Sequence, residues 1–352
     1  SDLYRPIDLV EEVIRMHGSD RIPEGTVKAT VTLTDDDPVP VYERAVASLL
    51  IGKGFQETVH YTLRSPSTES AWFGESELES LALENPLASD ASHLRTSIIP
   101  GLLDCLKLNL ARNNPVDRLF ECGRVFREHN GSVFELYSIG FVILQDGTQS
   151  WKESTPPDFY LTSKVASDLM ELSGVMVNRW QFESNADSPV WQSGQSACVG
   201  SVDKGYHAEF GLLNVGMTRD WDIESPVLAG SITFTPEFLK QPKVRKSYSP
   251  FSHFPPALRD LAIIVPEDYP AAKVEKSLMD AAQKYIGGEM QLESVDAFDL
   301  YSGQGIAENH VSIAFKLTFR HADRTLKDKE VNSVFQKILA EMDGLEGMEV
   351  RK

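Results

Sequence analysis

Apolar positions recur at helical spacing from the start of the chain. Ile7, Val10, Val13 and Ile14 fall on one stripe, Asp8 stands where it can cap the first turn, and Gly18 is placed to end it. The spacing predicts a helix over 7–17. Residues 34–40, rich in Asp and Pro, read as a turn, and a second helix follows over 41–51 with Gly52 as its stop. Extended segments near 57–63 lead to a helix over 102–111. Strand-like alternation covers 118–127 and 136–144. A loop at 145–157, a helix over 160–172 and several strands between 176 and 234 complete an α+β region.

Residues 236–256 hold five prolines and the basic cluster Lys240, Lys243, Arg245 and Lys246. That composition predicts an extended connection. Beyond it the pattern reads strand 261–265, helix 271–285, strands 291–300 and 311–319, helix 328–342 and a short strand 348–351. The order β-α-β-β-α-β is the ferredoxin-like split unit, an antiparallel sheet with helices on one face and the other face open. RNA-binding domains use this architecture, and so do many domains that bind no RNA.

The chain has 352 residues, 41% hydrophobic and 24% charged, which suits about two or three globular domains. No apolar run approaches the roughly 18 residues that a membrane helix needs. The first residues lack the layout of a signal peptide. Without an initiator Met, the chain reads as processed or as a piece of a longer one. Three scattered cysteines, with no CxxC pair, predict reduced thiols in a cytoplasmic protein. A net charge of −18, spread over the whole chain, argues against generic nucleic-acid binding but leaves room for a specific site.

The common catalytic signatures are absent. There is no GxxxxGK[ST], no HExxH and no G-x-S-x-G. Cys122, inside an apolar strand, reads as a buried structural thiol. Asp8, Glu11 and Glu12 stand at i, i+3 and i+4 and share a helical face, with Asp2 six residues before Asp8. The cluster fits either a capping box or an oxygen-only site for a hard cation such as magnesium.

Several blocks, taken in order, carry a family resemblance. Residues 7–18 (IDLVEEVIRMHG) with Arg21-Ile22-Pro23 resemble the end of the B5 domain of the β subunit of bacterial phenylalanyl-tRNA synthetases. Asn85-Pro86-Leu87, residues 94–103 (LRTSIIPGLL) and 118–126 (RLFECGRVF) resemble that family's synthetase-like core. Phe254-Pro255, Arg259-Asp260-Leu261-Ala262, Phe298-Asp299-Leu300-Tyr301-Ser302-Gly303 and Asp323-Arg324-Thr325-Leu326 resemble its ferredoxin-like anticodon-binding domain.

The resemblance implies the C-terminal portion of such a subunit. Residues 1–24 would close the B5 domain, 25–246 would form a class II synthetase-like core built on an antiparallel sheet, and 247–352 the ferredoxin-like domain. It implies a catalytic α subunit as partner in a heterotetramer of two α and two β, tRNA(Phe) as RNA ligand and ATP as the holoenzyme's co-substrate. It also implies Mg2+, shared with the α subunit, on Asp2, Asp8, Glu11 and Glu12.

The core is expected to be catalytically silent. Residues 123–127 (GRVFR) echo the motif that positions ATP in active members, but the glycine-rich stretch 210–216 carries no matching arginine. Adenylate chemistry needs cations on both sides of the reacting phosphorus. Residues 191–197 (WQSGQSA) depart from the His-Pro-Gly-Arg-Ser-Ala common in relatives.

The anticodon site is expected on Asp299, Tyr301, Ser312 and Arg351. There, Tyr301 either stacks a base or packs on its own turn. The competing functional class is a free-standing synthetase-like RNA-binding or scaffold protein without ligase activity.

Overall fold

The computed structural model describes residues 3–32, 34, 36–70, 72, 78–129, 131–146, 156–176, 181–185, 188–240, 248, 250–288 and 290–351. The chain divides into two compact units, Ser1–Asp37 and Pro38–Lys352.

The first unit is built on helix α1 (Pro6–His17). It starts one residue before the apolar stripe because Pro6 needs no N–H partner in a first turn and already holds a helical φ. That shift moves Asp8 to the third helical position and makes Arg5 the N-cap. Asp8 therefore caps by reaching back, not from the cap position that the sequence suggests. Gly18, at φ 93°, closes the helix as expected.

The second unit begins with α2 (Pro38–Gly52), which starts within the stretch read as a turn. Prolines 38 and 40 occupy the first turn, where a missing N–H costs nothing. There follow β1 (Gln56–Glu57), β2 (Leu63–Arg64), α3 (Pro66–Ser70), β3 (His93–Leu94), α4 (Ile99–Ala111), β4 (Arg118–His129), β5 (Ser132–Leu144) and α5 (Phe159–Leu172). Next come β6 (Glu183–Ser184), β7 (Trp191–Ser201), β8 (Tyr206–Leu213), α6 (Val215–Asp220), β9 (Val227–Phe234) and α7 (Pro236–Lys240).

A seven-stranded sheet runs β1-β4-β5-β9-β8-β7-β6, and every pairing except β1–β4 is antiparallel. One face packs Phe120, Phe141, Phe210 and Phe234 with Tyr42 and Val46 of α2 and Val165 and Leu169 of α5. The opposite face packs Leu119, Val142 and Val227 with Leu102, Leu103 and Leu106 of α4. Because both faces are covered, β9 is buried along its whole length instead of alternating.

Charged groups inside this region tie the motif blocks together. Glu121 of β4, 1% exposed, receives Arg95 Nη1 at 2.6 Å and lies 2.5 Å from His60 Nδ1. Arg95 Nε also donates to the Arg124 carbonyl at 2.8 Å. A β-carbon at Gly123 would collide with the Arg95 guanidinium, so the glycine of residues 120–123 (FECG) leaves the path that the arginine takes. The neighbouring Thr96 donates its N–H (2.7 Å) and hydroxyl (2.6 Å) to the buried Glu69 carboxylate, and Arg127 donates to the Thr96 carbonyl. Burial pushes the Glu69 carboxyl above its ordinary value against the pull of these Thr96 donors.

Burial also holds Cys122 as a neutral thiol, pushed up to about 12. That agrees with its reading as structural. Trp191, in the segment that departs from relatives, is 2% exposed and donates its indole N–H to Glu209 at 3.1 Å, so there it anchors β7.

After α7 the basic cluster largely leaves the described residues: Lys240 ends the helix, and Lys243, Arg245 and Lys246 lie outside them. The remaining elements are β10 (Ala257–Pro266), α8 (Ala271–Tyr285), β11 (Met290–Tyr301), β12 (His310–His321), α9 (Asp328–Met342) and β13 (Glu349–Val350). They form an antiparallel four-stranded sheet, β11-β12-β10-β13, in the expected βαββαβ order. Val274 and Leu278 of α8 and Val331 and Ile338 of α9 cover one face, against Ile263, Phe315, Leu317 and Phe319. Among the described residues no helix is long and apolar enough to cross a membrane.

Removing one partner of a buried ion pair leaves the other charge uncompensated. Glu121→Gln is expected to cost about 3–5 kcal/mol of unfolding free energy, read by urea denaturation, because Arg95 stays buried without its carboxylate. A loss within a few tenths would mean that the pair contributes no net stability.

Candidate nucleic-acid interface

The face of the C-terminal sheet away from α8 and α9 is open, and strand parity decides which side chains reach it. On β12, Ser312, Ala314, Lys316, Thr318 and Arg320 take this face, while Val311, Ile313, Phe315, Leu317 and Phe319 take the covered one. Directly paired residues share a face, so the partners in register assign β11 as well. Asp296 pairs with Lys316, Asp299 with Ala314 and Tyr301 with Ser312.

Between Ala297 and Asp299 the register shifts by a bulge. An extra residue there inverts the parity of everything after it. Without the bulge Leu300 would take the open face and Tyr301 the covered one.

The four anticodon-site residues expected from sequence all fall on or against this open face. Tyr301, 38% exposed, donates its hydroxyl to the Gln304 carbonyl at 3.2 Å, and Gly303 lets the ring pack close to the turn. The Arg351 N–H donates to the Ala262 carbonyl at 2.9 Å, which extends the ladder of β13 by one residue. From there the Arg351 guanidinium reaches over the Tyr301 ring, 4.9 Å from its centroid. The small side chains Ala262 and Ala314 leave room across the strands between them. Asp299 is exposed, whereas Ser312 is only 3% exposed, buried beside Tyr301. Of the two alternatives for Tyr301, packing on its own turn is the one seen, and the ring stays 38% exposed.

Two residues of this surface escape sequence reasoning. Phe298 is 52% exposed, and Lys316 Nζ lies 5.1 Å from its ring centroid. Phe298 stands three positions from Tyr301, so simple alternation puts the two rings on opposite faces. The bulge brings them to the same one. No pattern in the sequence marks that bulge.

Chemically, the surface offers two aromatic rings, each under a cation, beside a carboxylate that can only accept and a hydroxyl that can do both. It also carries Asp260, Glu293, Asp296 and Glu349 near its cations, so phosphate attraction alone would hold RNA weakly here.

In the first unit two members of the acidic cluster, Asp8 and Glu12, are engaged within the protein. Asp8 Oδ2 accepts the Arg5 N–H at 2.8 Å and the Tyr4 N–H at 3.2 Å, and Oδ1 accepts Arg5 Nη2 at 3.1 Å. The Arg5 backbone N–H, ahead of the other donors, holds the Asp8 carboxyl below its ordinary value. Glu12 pairs with Arg15 at 2.6 Å, Glu11 is exposed, and Asp2 lies outside the described residues. Among the described residues no three His, Cys, Asp or Glu side chains are grouped to hold a metal. As arranged, Asp8 serves as a helix cap and Glu12 is held by Arg15, while Glu11 keeps a solvent-facing carboxylate.

In the core, the arginines of residues 123–127 (GRVFR) are likewise engaged: Arg124 pairs with Glu135, and Arg127 with the Thr96 carbonyl.

Residues 22–234 match the family described as phenylalanyl tRNA synthetase beta chain CLM domain, and residues 252–351 match the ferredoxin-fold anticodon binding domain. The phenylalanine–tRNA ligase beta subunit of Syntrophotalea carbinolica is 30% identical over 99% of this chain and 43% of its own length. That of Novosphingobium aromaticivorans is 31% identical over 100% of this chain and 44% of its own. The chain thus spans less than half the length of these curated relatives. Among solved structures, a pyrrolysyl-tRNA synthetase from Desulfitobacterium hafniense superposes with a TM-score of 0.40 at 19% identity, over 57% of this chain and 68% of that one.

The Asp8 cap titrates with a defined sign. Its folded value is depressed, so its contribution to α1 is present above the ordinary aspartate range and lost as pH falls through the lowered value. NMR titration is expected to show the Arg5 amide shifting with Asp8 at a pH below that range. An Arg5 amide that ignores this titration would remove Asp8 from the cap.

Proposed function

Because the chain belongs to the phenylalanyl-tRNA synthetase β-chain family, we propose that it is the C-terminal part of a phenylalanine–tRNA ligase β subunit and that its open sheet face reads the anticodon of tRNA(Phe). In this proposal residues 1–24 close a B5 domain, 25–246 form a scaffold that assembles with a catalytic α subunit, and 247–352 carry the RNA contact. The assembly is a cytoplasmic heterotetramer of two α and two β subunits that consumes ATP.

The observation that carries the RNA role is the grouping of Tyr301, Arg351, Ser312 and Asp299 on one uncovered face. An unstacked base gains affinity by lying against Tyr301. Asp299 accepts N–H groups from a base edge, and Arg351 donates to acceptors or to a phosphate. Ser312 becomes available only when Tyr301 or Arg351 shifts, so it acts after the base has entered.

Two features support a silent core. One is the missing partner for the arginine motif. The other is the engagement of Arg124 and Arg127 with Glu135 and Thr96, which leaves both committed within the sheet region. Activation of phenylalanine then belongs to the α subunit.

Two assays test the proposal. This chain alone is expected to support no phenylalanine-dependent ATP–pyrophosphate exchange; robust exchange free of any α subunit would end the silent-core assignment. In the reconstituted enzyme Tyr301→Ala is expected to weaken tRNA use by about 1–3 kcal/mol, the worth of one base–aromatic stack, with phenylalanine activation unchanged. An unaffected tRNA step would take Tyr301 out of the site.

A further inference from the structure

We propose that the open face holds two adjacent unstacked bases, one on Tyr301 and a second on Phe298, and that Arg351 and Lys316 are the cationic covers that these bases displace. The proposal rests on the anticodon-binding function proposed above and adds a second base position to it.

Phe298 is the starting point. A phenylalanine more than half exposed on a strand gains little from folding, yet here its ring has a cation over one face, Lys316 at 5.1 Å. Tyr301 repeats the arrangement with Arg351 at 4.9 Å. The bulge between Ala297 and Asp299 sets both rings on one face. At roughly 3.3 Å per residue, their backbone positions are about 7–10 Å apart, a spacing suited to consecutive nucleotides whose bases are splayed and not stacked on one another. Four-stranded sheets of this architecture stack two or three bases on neighbouring aromatics.

The covers give the site a resting state. An exposed cation–π contact is weaker than a base–aromatic stack, so a base can replace the cation at each ring. The displaced Lys316 and Arg351 then stay beside the strand they admitted and can pair with its phosphates. Between the two positions, Asp299 faces the same side, where it can accept from the edge of either base. Until a base arrives, the cations shield both rings from chance apolar contact.

The test uses the chain reconstituted with its α subunit and tRNA(Phe) transcripts carrying 2-aminopurine at one anticodon position at a time. Fluorescence is expected to change at two neighbouring positions on binding. Phe298→Ala should abolish the change at one of them and raise the Kd by about 5–30-fold, while Phe298→Trp keeps both; Tyr301→Ala should abolish the other. Lys316→Gln should lower the salt dependence of binding without abolishing either signal.

A Phe298→Ala enzyme that melts like the parent, keeps both signals and binds unchanged, while Tyr301→Ala weakens binding, overturns the second position and leaves the anticodon role standing. If neither variant matters, both fall together. If Phe298→Ala instead dissociates the α subunit, the ring is a protein contact and the proposal is wrong.

Discussion

The Glu121 carboxylate lies where water does not reach, and such a charge persists only when its oxygens are fully supplied with donors. Arg95 and His60 supply them from segments far away in sequence, and Thr96, one residue on, is held in turn by Glu69 and Arg127. The loops that precede α4 are thereby fixed against β4, and α4 is set down on its face of the sheet. The residues involved are those that a motif search would pick out as chemical. Their partners show them to be architectural, since each cationic group is already occupied by the fold.

The two sheets use exposure in opposite ways. The seven-stranded sheet is sandwiched between α2 and α5 on one side and α4 on the other, so much of its surface is committed to packing. The four-stranded sheet keeps one face free, and that face collects aromatic rings that a purely structural surface would leave out. The two sheets are therefore distinct solutions to one question: what covers a strand.

How far this was legible in the sequence varies with the physics involved. Helices α8 and α9 match the expected 271–285 and 328–342 because their apolar residues return every three or four positions against a single sheet face. The β4–β5 hairpin extends beyond the expected 118–127 and 136–144 because it runs out into exposed residues, Ser132–Glu135, where no buried side chains mark a strand. Proline misled at Pro6, Pro38, Pro100 and Pro236, where α7 opens the stretch expected to be extended, each time because a residue that breaks helices is welcome in a first turn. At the open face, alternation places Asp299 and Tyr301 together because both follow the bulge, whereas Phe298 is the extra residue of the bulge itself, which alternation cannot place.

That irregularity makes β11 a counting device. Inserting or deleting one residue between Ser294 and Phe298 would again exchange the two sides, turning Leu300 to the open face and Tyr301 away from it, unless a compensating bulge formed. The turn beyond Gln304 carries no such phase, because by then the last ring has been aimed and held. Length should therefore be held strictly constant through the strand and the first turn residues and drift freely after them, a boundary between rigid and permissive spacing that falls just beyond Gln304.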